Sequence, residues 1–346
     1  MVYGDAATID AMGWRRTFRE AGFEAPIYAR HHDAHHDAVC QPLGAYRHRP
    51  DDLIIFHYTA WSETADFLVK RGYPIVLVYH NVTPPEFFAG IDDNVERETR
   101  AGRARLVEFA PRAILGAAKS EFSRRDLVEA GIRRTCVIPV RVDFDALDQE
   151  RNEDAERHIR SLGPSVMVMG RVVPNKKIED VIRGFAFYKY RIEPGARLYC
   201  VGSHTPRSPY QIQLDWLVRR LRLDEAVRFT GQVPHADRGA YYRACRVLVT
   251  MSEHEGFCAP IVEAMHLGLP VIAYAGGAIP ETLGDAGILM KQKDPEVLAE
   301  LIAMLAEDTP LRRRMIARGL EWSRRYRPDK VAADFAREVS AALEAA

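Results

Sequence analysis

The chain has 346 residues and carries 48 basic and 48 acidic side chains, a formal net charge of zero. Forty-seven per cent hydrophobic and 28% charged residues describe an ordinary soluble globular protein, and the length suffices for two domains. The charge balance gives no sign of a polyanionic partner, nucleic acid included, and no apolar run approaches the roughly 20 residues that cross a bilayer, so membrane contact is at most peripheral.

Short apolar runs alternate with amphipathic segments, the pattern of βαβ units and a mostly parallel sheet. In the first half, strands are predicted at 26–29, 53–57, 75–80, 113–117 and 136–139, with helices at 63–70, 93–109 and 123–130. The run His31-His-Asp-Ala-His-His-Asp37 has the composition of a metal site, but its polar surroundings make it a surface loop. Ser120 and Glu121 follow a strand and read as a helix cap. Residues 140–163 turn polar and lose strand signals, as a connection between domains with a short helix in it would.

The second half has strands at 165–170, 197–201, 227–230, 247–251, 270–273 and 287–290, and closes with helices at 295–306, 311–326 and 330–344. The expected division is an α/β domain over 1–150, a second over 151–328, and a C-terminal helix over 329–346. Residues 1–150 hold 19 basic and 23 acidic residues and residues 151–346 hold 29 and 25, nets of −4 and +4, a tilt that agrees with an anionic ligand in the second half. Cys40, Cys136, Cys200, Cys245 and Cys258 are odd in number and show no metal-type pairing, which fits a reducing cytoplasm. The start shows no signal-peptide pattern.

The most informative segment is Met251-Ser-Glu-His-Glu-Gly-Phe-Cys-Ala-Pro-Ile-Val-Glu-Ala-Met265, which sets Glu255 and Glu263 with seven residues between them across a turn containing Pro260. Proline is favoured at the first position of a helix, so Glu255 is expected on a loop after a strand and Glu263 in the first helical turn. The amides of such a helix start bind anions. Carboxylates do not bind phosphate, but they accept hydrogen bonds from sugar hydroxyls. Together these features describe a nucleotide-sugar site, although a Glu near a helix start also serves as a plain cap.

Met169-Gly-Arg-Val-Val-Pro-Asn-Lys-Lys177 places Arg171 and Lys176 at a strand's carboxyl end, across a turn with Pro174 and Asn175. A fork and a point charge there can meet one diphosphate; a solvated basic turn is the plainer alternative. In Val78-Tyr-His-Asn-Val-Thr-Pro-Pro-Glu-Phe-Phe88, His80 and Asn81 end a strand, which puts them at a cleft rather than in the core. His57 ends its own strand in the same way.

On these segments the chain resembles the retaining glycosyltransferases of the GT-B fold, in particular their large fourth sequence family, most strongly over 165–289. The resemblance implies two doubly wound, Rossmann-like domains facing across a cleft, with the final helix returning to the first. It implies that Glu255 meets the transferred sugar and Glu263 the ribose. The amides of Gly256 and Phe257 would approach the sugar, and those of Ile261 and Val262 the distal phosphate. Arg171 and Lys176 would stabilise the leaving diphosphate, and His80 would lie near the sugar and the acceptor. Gly202 would line the nucleotide side, the stretch ending at Val233 would meet the base, and Glu281 would brace its loop.

Gly4, in Tyr3-Gly-Asp-Ala6, would approach the donor from the first domain. Only two residues precede that segment, so the expectation is a late start or a missing central strand. The family often has Gly where this chain has Lys177 and Cys258, so either Lys176 or Lys177 could serve, with Lys176 preferred by spacing. The resemblance implies neither cofactor nor metal, a UDP- or GDP-type sugar as donor, and a hydroxyl acceptor, lipid-linked ones included. It places a hexosyltransferase in the cytoplasm or at the inner membrane face. The rivals are a sugar-nucleotide epimerase or phosphorylase of the same fold, and a non-catalytic nucleotide-sugar-binding subunit.

Overall fold

The structure is a computed structural model that describes residues 6–149, 151–307 and 309–345. Gly4 and any strand before it lie outside the described residues. The chain divides into two compact units, Met1–Val142 with Tyr326–Ala346, and Asp143–Arg325.

The first unit opens with helix α1 (Ala6–Glu20) and a parallel pair, β1 (Ile27–Ala29) and β2 (Cys40–Pro42). β3 (Ile54–Tyr58), α2 (Glu63–Arg71), β4 (Ile75–Tyr79), α3 (Asp93–Ala104), β5 (Ala113–Ala118), α4 (Glu121–Glu129) and β6 (Thr135–Val137) follow. Strands β3 to β6 form one parallel sheet in sequence order. Side chains alternate between its faces, as the strand period of two requires. Ile75, Leu77 and Tyr79 join one core with Leu68 of α2 and Leu127 of α4. Val76 and Val78 join the other, with Trp14 of α1. Ser120 caps α4, its Oγ accepting from the Ser123 amide.

The second unit holds α5 (Phe144–Gln149), α6 (Glu153–Ser161), β7 (Ser165–Met169), α7 (Ile178–Phe187), β8 (Arg197–Val201), α8 (Pro209–Arg220), β9 (Val227–Gly231), α9 (His235–Ala244), β10 (Val247–Thr250), α10 (Ala259–His266), β11 (Val271–Tyr274), α11 (Ile279–Leu283), β12 (Ile288–Met290), α12 (Pro295–Ala306) and α13 (Pro310–Ser323). Its parallel sheet has the order β12-β11-β10-β7-β8-β9. The order reverses between β7 and β10, and in doubly wound sheets ligands bind beyond the strand carboxyl ends at that reversal. Helices α9 and α10 share a core with one face of the sheet. On the other side α7 and α12 lie so close that a Cβ on Gly184 would come within 2.4 Å of Leu298. The last helix, α14 (Pro328–Leu343), belongs to the first unit, where Phe335 packs on Trp14 with ring centroids 4.4 Å apart.

Several expectations are corrected. The boundary placed at 150 moves back to Val142, because α5 packs into the second unit. There the Phe144 ring stacks on His266 at 4.1 Å, and Arg243 donates to the Leu147 carbonyl. The predicted helix 93–109 ends at Ala104, and a separate 3₁₀ turn covers Leu106–Phe109. Helix α1 and strand β2 were not foreseen.

Candidate active site

Residues 170–177 and 251–258 are the loops that leave β7 and β10, the two strands at the reversal. They are stitched together by Asn175, whose side-chain amide donates to the His254 carbonyl at 2.9 Å while its main-chain carbonyl accepts from the Glu253 amide at 2.9 Å. The stitching aligns Lys176 with Glu255, and their side chains form an ion pair at 2.5 Å. Burial works against the charge on Lys176, but the Glu255 carboxylate prevails and holds the ammonium above its usual value. Arg171 stands near enough for its charge to be felt at Lys176; it is exposed and has no ion pair among the described residues. One paired and one unpaired cation thus sit at the sheet's reversal.

Glycines hold this arrangement from behind. Gly202, after β8, has φ +140°, and a Cβ there would come within 2.2 Å of the Gly170 carbonyl. Gly276 and Gly277, after β11, press on the other loop. A Cβ on Gly276 would lie 2.1 Å from the Ser252 carbonyl, and one on Gly277, at φ +57°, would lie 2.5 Å from the Glu255 carbonyl. The Ala278 amide donates to that same Glu255 carbonyl at 2.9 Å.

Helix α10 begins at Ala259, one residue earlier than expected. Pro260 is therefore its second residue, and Glu263 opens its second turn rather than closing the first. The helix is apolar nearly all round, with Ile261, Val262, Ala264 and Met265 buried. Each large side chain so buried contributes roughly 1.5–3 kcal/mol, which fixes the helix against its core. A carboxylate on such a helix needs partners. Glu263 is 5% exposed, paired with Arg238 of α9 through one oxygen, and accepts from the Tyr242 hydroxyl at 2.6 Å through the other. The Ile261 amide donates to the Cys258 carbonyl at 3.1 Å. Gly256 is half-buried and Phe257 buried, with the Phe257 carbonyl accepting from Thr282. Val233 is half-buried against the same core.

Both positions where the family often has Gly carry left-handed backbone, Lys177 at φ +50° and Cys258 at φ +74°. Burial, with Glu255 adding, pushes the Cys258 thiol well above its usual value, so it is an inert neutral group. Lys177→Gly is expected to stabilise the fold by up to about 1 kcal/mol, since glycine adopts this conformation without the Cβ clash. Its ion pairs with Glu253 and Glu179 are long, at 3.5 and 3.8 Å, and offset little of that gain. Urea midpoints with an unchanged m-value check this; a lower midpoint contradicts it.

His80 lies in the first unit, directly after β4. Its Nε2 is 2.9 Å from His57 Nδ1 and 3.6 Å from Asp10 Oδ2. Lys119, directly after β5, donates to Asp10 Oδ2 at 2.6 Å. Asn81 is corrected. It is buried rather than open, and its left-handed backbone (φ +72°) accompanies a side-chain amide bonded to Ser123 at 3.2 Å. In the His31–Asp37 run, His36 pairs with Asp33 and His32 with Asp37. Asp10, Lys119, Arg238 and Tyr242 were missed in the sequence; Lys119, directly after the apolar β5, carried the clearest signal.

The profile of the family described as glycosyl transferases group 1 matches residues 149–322. The chain is 34% identical over 161 residues to O-antigen chain mannosyltransferase B of Escherichia coli, spanning 46% of this chain and 41% of that protein. It is 27% identical over 310 residues to a D-inositol 3-phosphate glycosyltransferase of Streptomyces scabiei, spanning 86% and 70%. Among solved structures, Anabaena HepE in complex with UDP-glucose aligns with a TM-score of 0.74 at 18% identity, over 98% of both chains. A glycosyltransferase from Rickettsia africae aligns with a TM-score of 0.72 at 14% identity, over 100% and 98%. These likenesses give the chain the GT-B fold.

Proposed function

The chain belongs to the glycosyl transferases group 1, and from that premise we propose that it is a retaining hexosyltransferase using a nucleoside-diphosphate sugar. The observation that carries the reading is the Lys176–Glu255 pair, with Arg171 beside it, where the sheet order reverses. Lys176 turns from Glu255 to the arriving diphosphate, and Arg171 grips it as a fork. The same exchange frees Glu255 to accept hydrogen bonds from the sugar. Negative charge grows on the departing phosphate as the anomeric C–O bond breaks, and two fixed cations stabilise that state more than the bound donor. The acceptor oxygen bonds to the anomeric carbon from the same face, and its proton passes to the departing phosphate.

Main chain at Gly202, Gly256, Phe257, Ile261 and Val262 lines the donor. Val233 flanks the base and Glu263 binds the ribose. His80 serves the acceptor, a polysaccharide, glycolipid or small glycoside. Side chains and the α10 start neutralise the diphosphate, so turnover is expected to be unchanged by EDTA. No described helix is long and apolar enough to cross a membrane; the enzyme would work in the cytoplasm or at the inner membrane face, where a lipid-linked acceptor is reached from one side.

UDP-glucose is the first donor to test, because a structural relative holds it, with GDP-sugars second. Release of nucleoside diphosphate is expected to depend on an added hydroxyl acceptor, and proton NMR of the product should show the donor's anomeric configuration. Inverted configuration removes the retaining mechanism. Binding without turnover across the acceptor panel favours a non-catalytic subunit, and interconversion of the donor itself favours an epimerase.

A further inference from the structure

The first unit holds a four-residue polar cluster, with Asp10 and Lys119 buried and His57 and His80 half-buried, that the reading above uses only through His80. The strand period puts it together. Ile55 and His57 on β3, Val76 and Val78 on β4 with His80 directly after it, and Leu115 and Ala117 on β5 with Lys119 directly after it follow the period of the sheet face on which α1 and α14 pack. Where the apolar residues of that face end, the next position on each strand is polar. Asp10 projects from α1 onto these positions and is fully buried, and Lys119 is 1% exposed.

We propose that the Asp10–Lys119 ion pair is a positioning device that holds His57 and His80 as a couple sharing one proton, which presents a neutral hydroxyl-bearing ligand with one ring donor and one ring acceptor. The geometry requires the sharing. Two imidazole nitrogens 2.9 Å apart, His57 Nδ1 and His80 Nε2, must have one proton between them. With both rings neutral, one outer nitrogen then carries a proton and the other a lone pair, whichever ring donates. The outer nitrogens are His57 Nε2 and His80 Nδ1. Neither has a hydrogen-bond partner among the described residues, and neither is among the sealed, unpaired atoms. A hydroxyl both donates and accepts, so it suits such a pair; an anion needs two donors and does not.

The surrounding charges keep the couple neutral. The charged groups facing it are Asp10 from α1 and Lys119 from the end of β5, and Arg141 backs Asp10 with its amide on Oδ1 at 3.3 Å. Burial lowers both imidazoles, His57 to about 4, with Lys119 adding and Asp10 opposing. Burial would raise the Asp10 carboxyl, but Lys119 and the histidines bring it down to about 2. Lys119 also stands 2.6 Å from the carboxylate that would otherwise complete a His–His–Asp metal site. The ligand's acceptor-side identity rests on the proposed function; the charge arrangement does not.

The first measurement needs no substrate. In protein labelled with ¹⁵N-histidine, both rings are expected to stay neutral from pH 8 to about pH 5, and titration of either near the unperturbed value of about 6.5 overturns the proposal. Lys119→Met leaves the Asp10 charge uncompensated and is expected to raise the couple's titration by about one pH unit or more, while Lys119→Arg behaves as wild type. The same Met variant should gain an acid limb in its kcat/KM profile. A folded Lys119→Met protein with unshifted titration overturns the positioning role; if that variant does not fold, the wild-type titration decides. Ring signals that move with inorganic phosphate but not with myo-inositol overturn the hydroxyl assignment. Failure of transfer activity with these signals as expected would sink the enzymatic reading alone.

Discussion

Lys176→Ala is expected to lower kcat by on the order of 100- to 1,000-fold, the usual effect of losing one preorganised group that meets charge in the transition state. Affinity for the donor should fall less, because the lysine's contribution grows only as the diphosphate departs. Lys177→Gly, one residue along, should leave kcat near wild type, since that ammonium reaches toward Glu253 and Glu179 instead. Nucleoside diphosphate release under saturating donor separates the two lysines. Turnover of Lys176→Ala within about tenfold of wild type would take this lysine out of the chemistry.

Glu255→Ala is the second large expectation, with most transfer lost. Here stability must be separated from catalysis, because the change strands a mostly buried ammonium. Breaking a buried ion pair by removing one partner costs roughly 3–5 kcal/mol. The Lys176→Ala, Glu255→Ala double variant removes both charges and is expected to unfold at a higher temperature than Glu255→Ala alone, yet to remain inactive. Recovery of activity with stability in the double variant would mean that the pair only holds the loops.

The alternation of strands and helices in the second unit was legible because its strands are continuous apolar runs, as parallel strands covered on both faces must be. The positions of Lys176 and Glu255 were legible for a related reason: both follow strand ends, and Gly and Pro punctuate the turns. What the sequence withheld depends on partners distant along the chain. Glu263 was assigned a ligand, but its neighbours Arg238 and Tyr242 lie on α9, across a packing contact with no local signature. Asp10 and Lys119 meet across 109 positions. Helix α1 has no clear signature in its own residues, because its apolar face, marked by Trp14 and Phe18, becomes meaningful only once α14 supplies Phe335. Lys177 and Cys258 read as departures from a family habit, and their positive φ angles supply the reason for the habit.

The contact of Gly276 and Gly277 with the loop bearing Glu255 is made by main chain alone. Evolution or design can therefore not retune that acid's placement by graded side-chain swaps from this direction, because even a methyl group would shove the loop off its lysine. On the proposed reading, selectivity among donors has to be adjusted elsewhere, and the loops that would grip the diphosphate should stay the least adaptable part of the molecule.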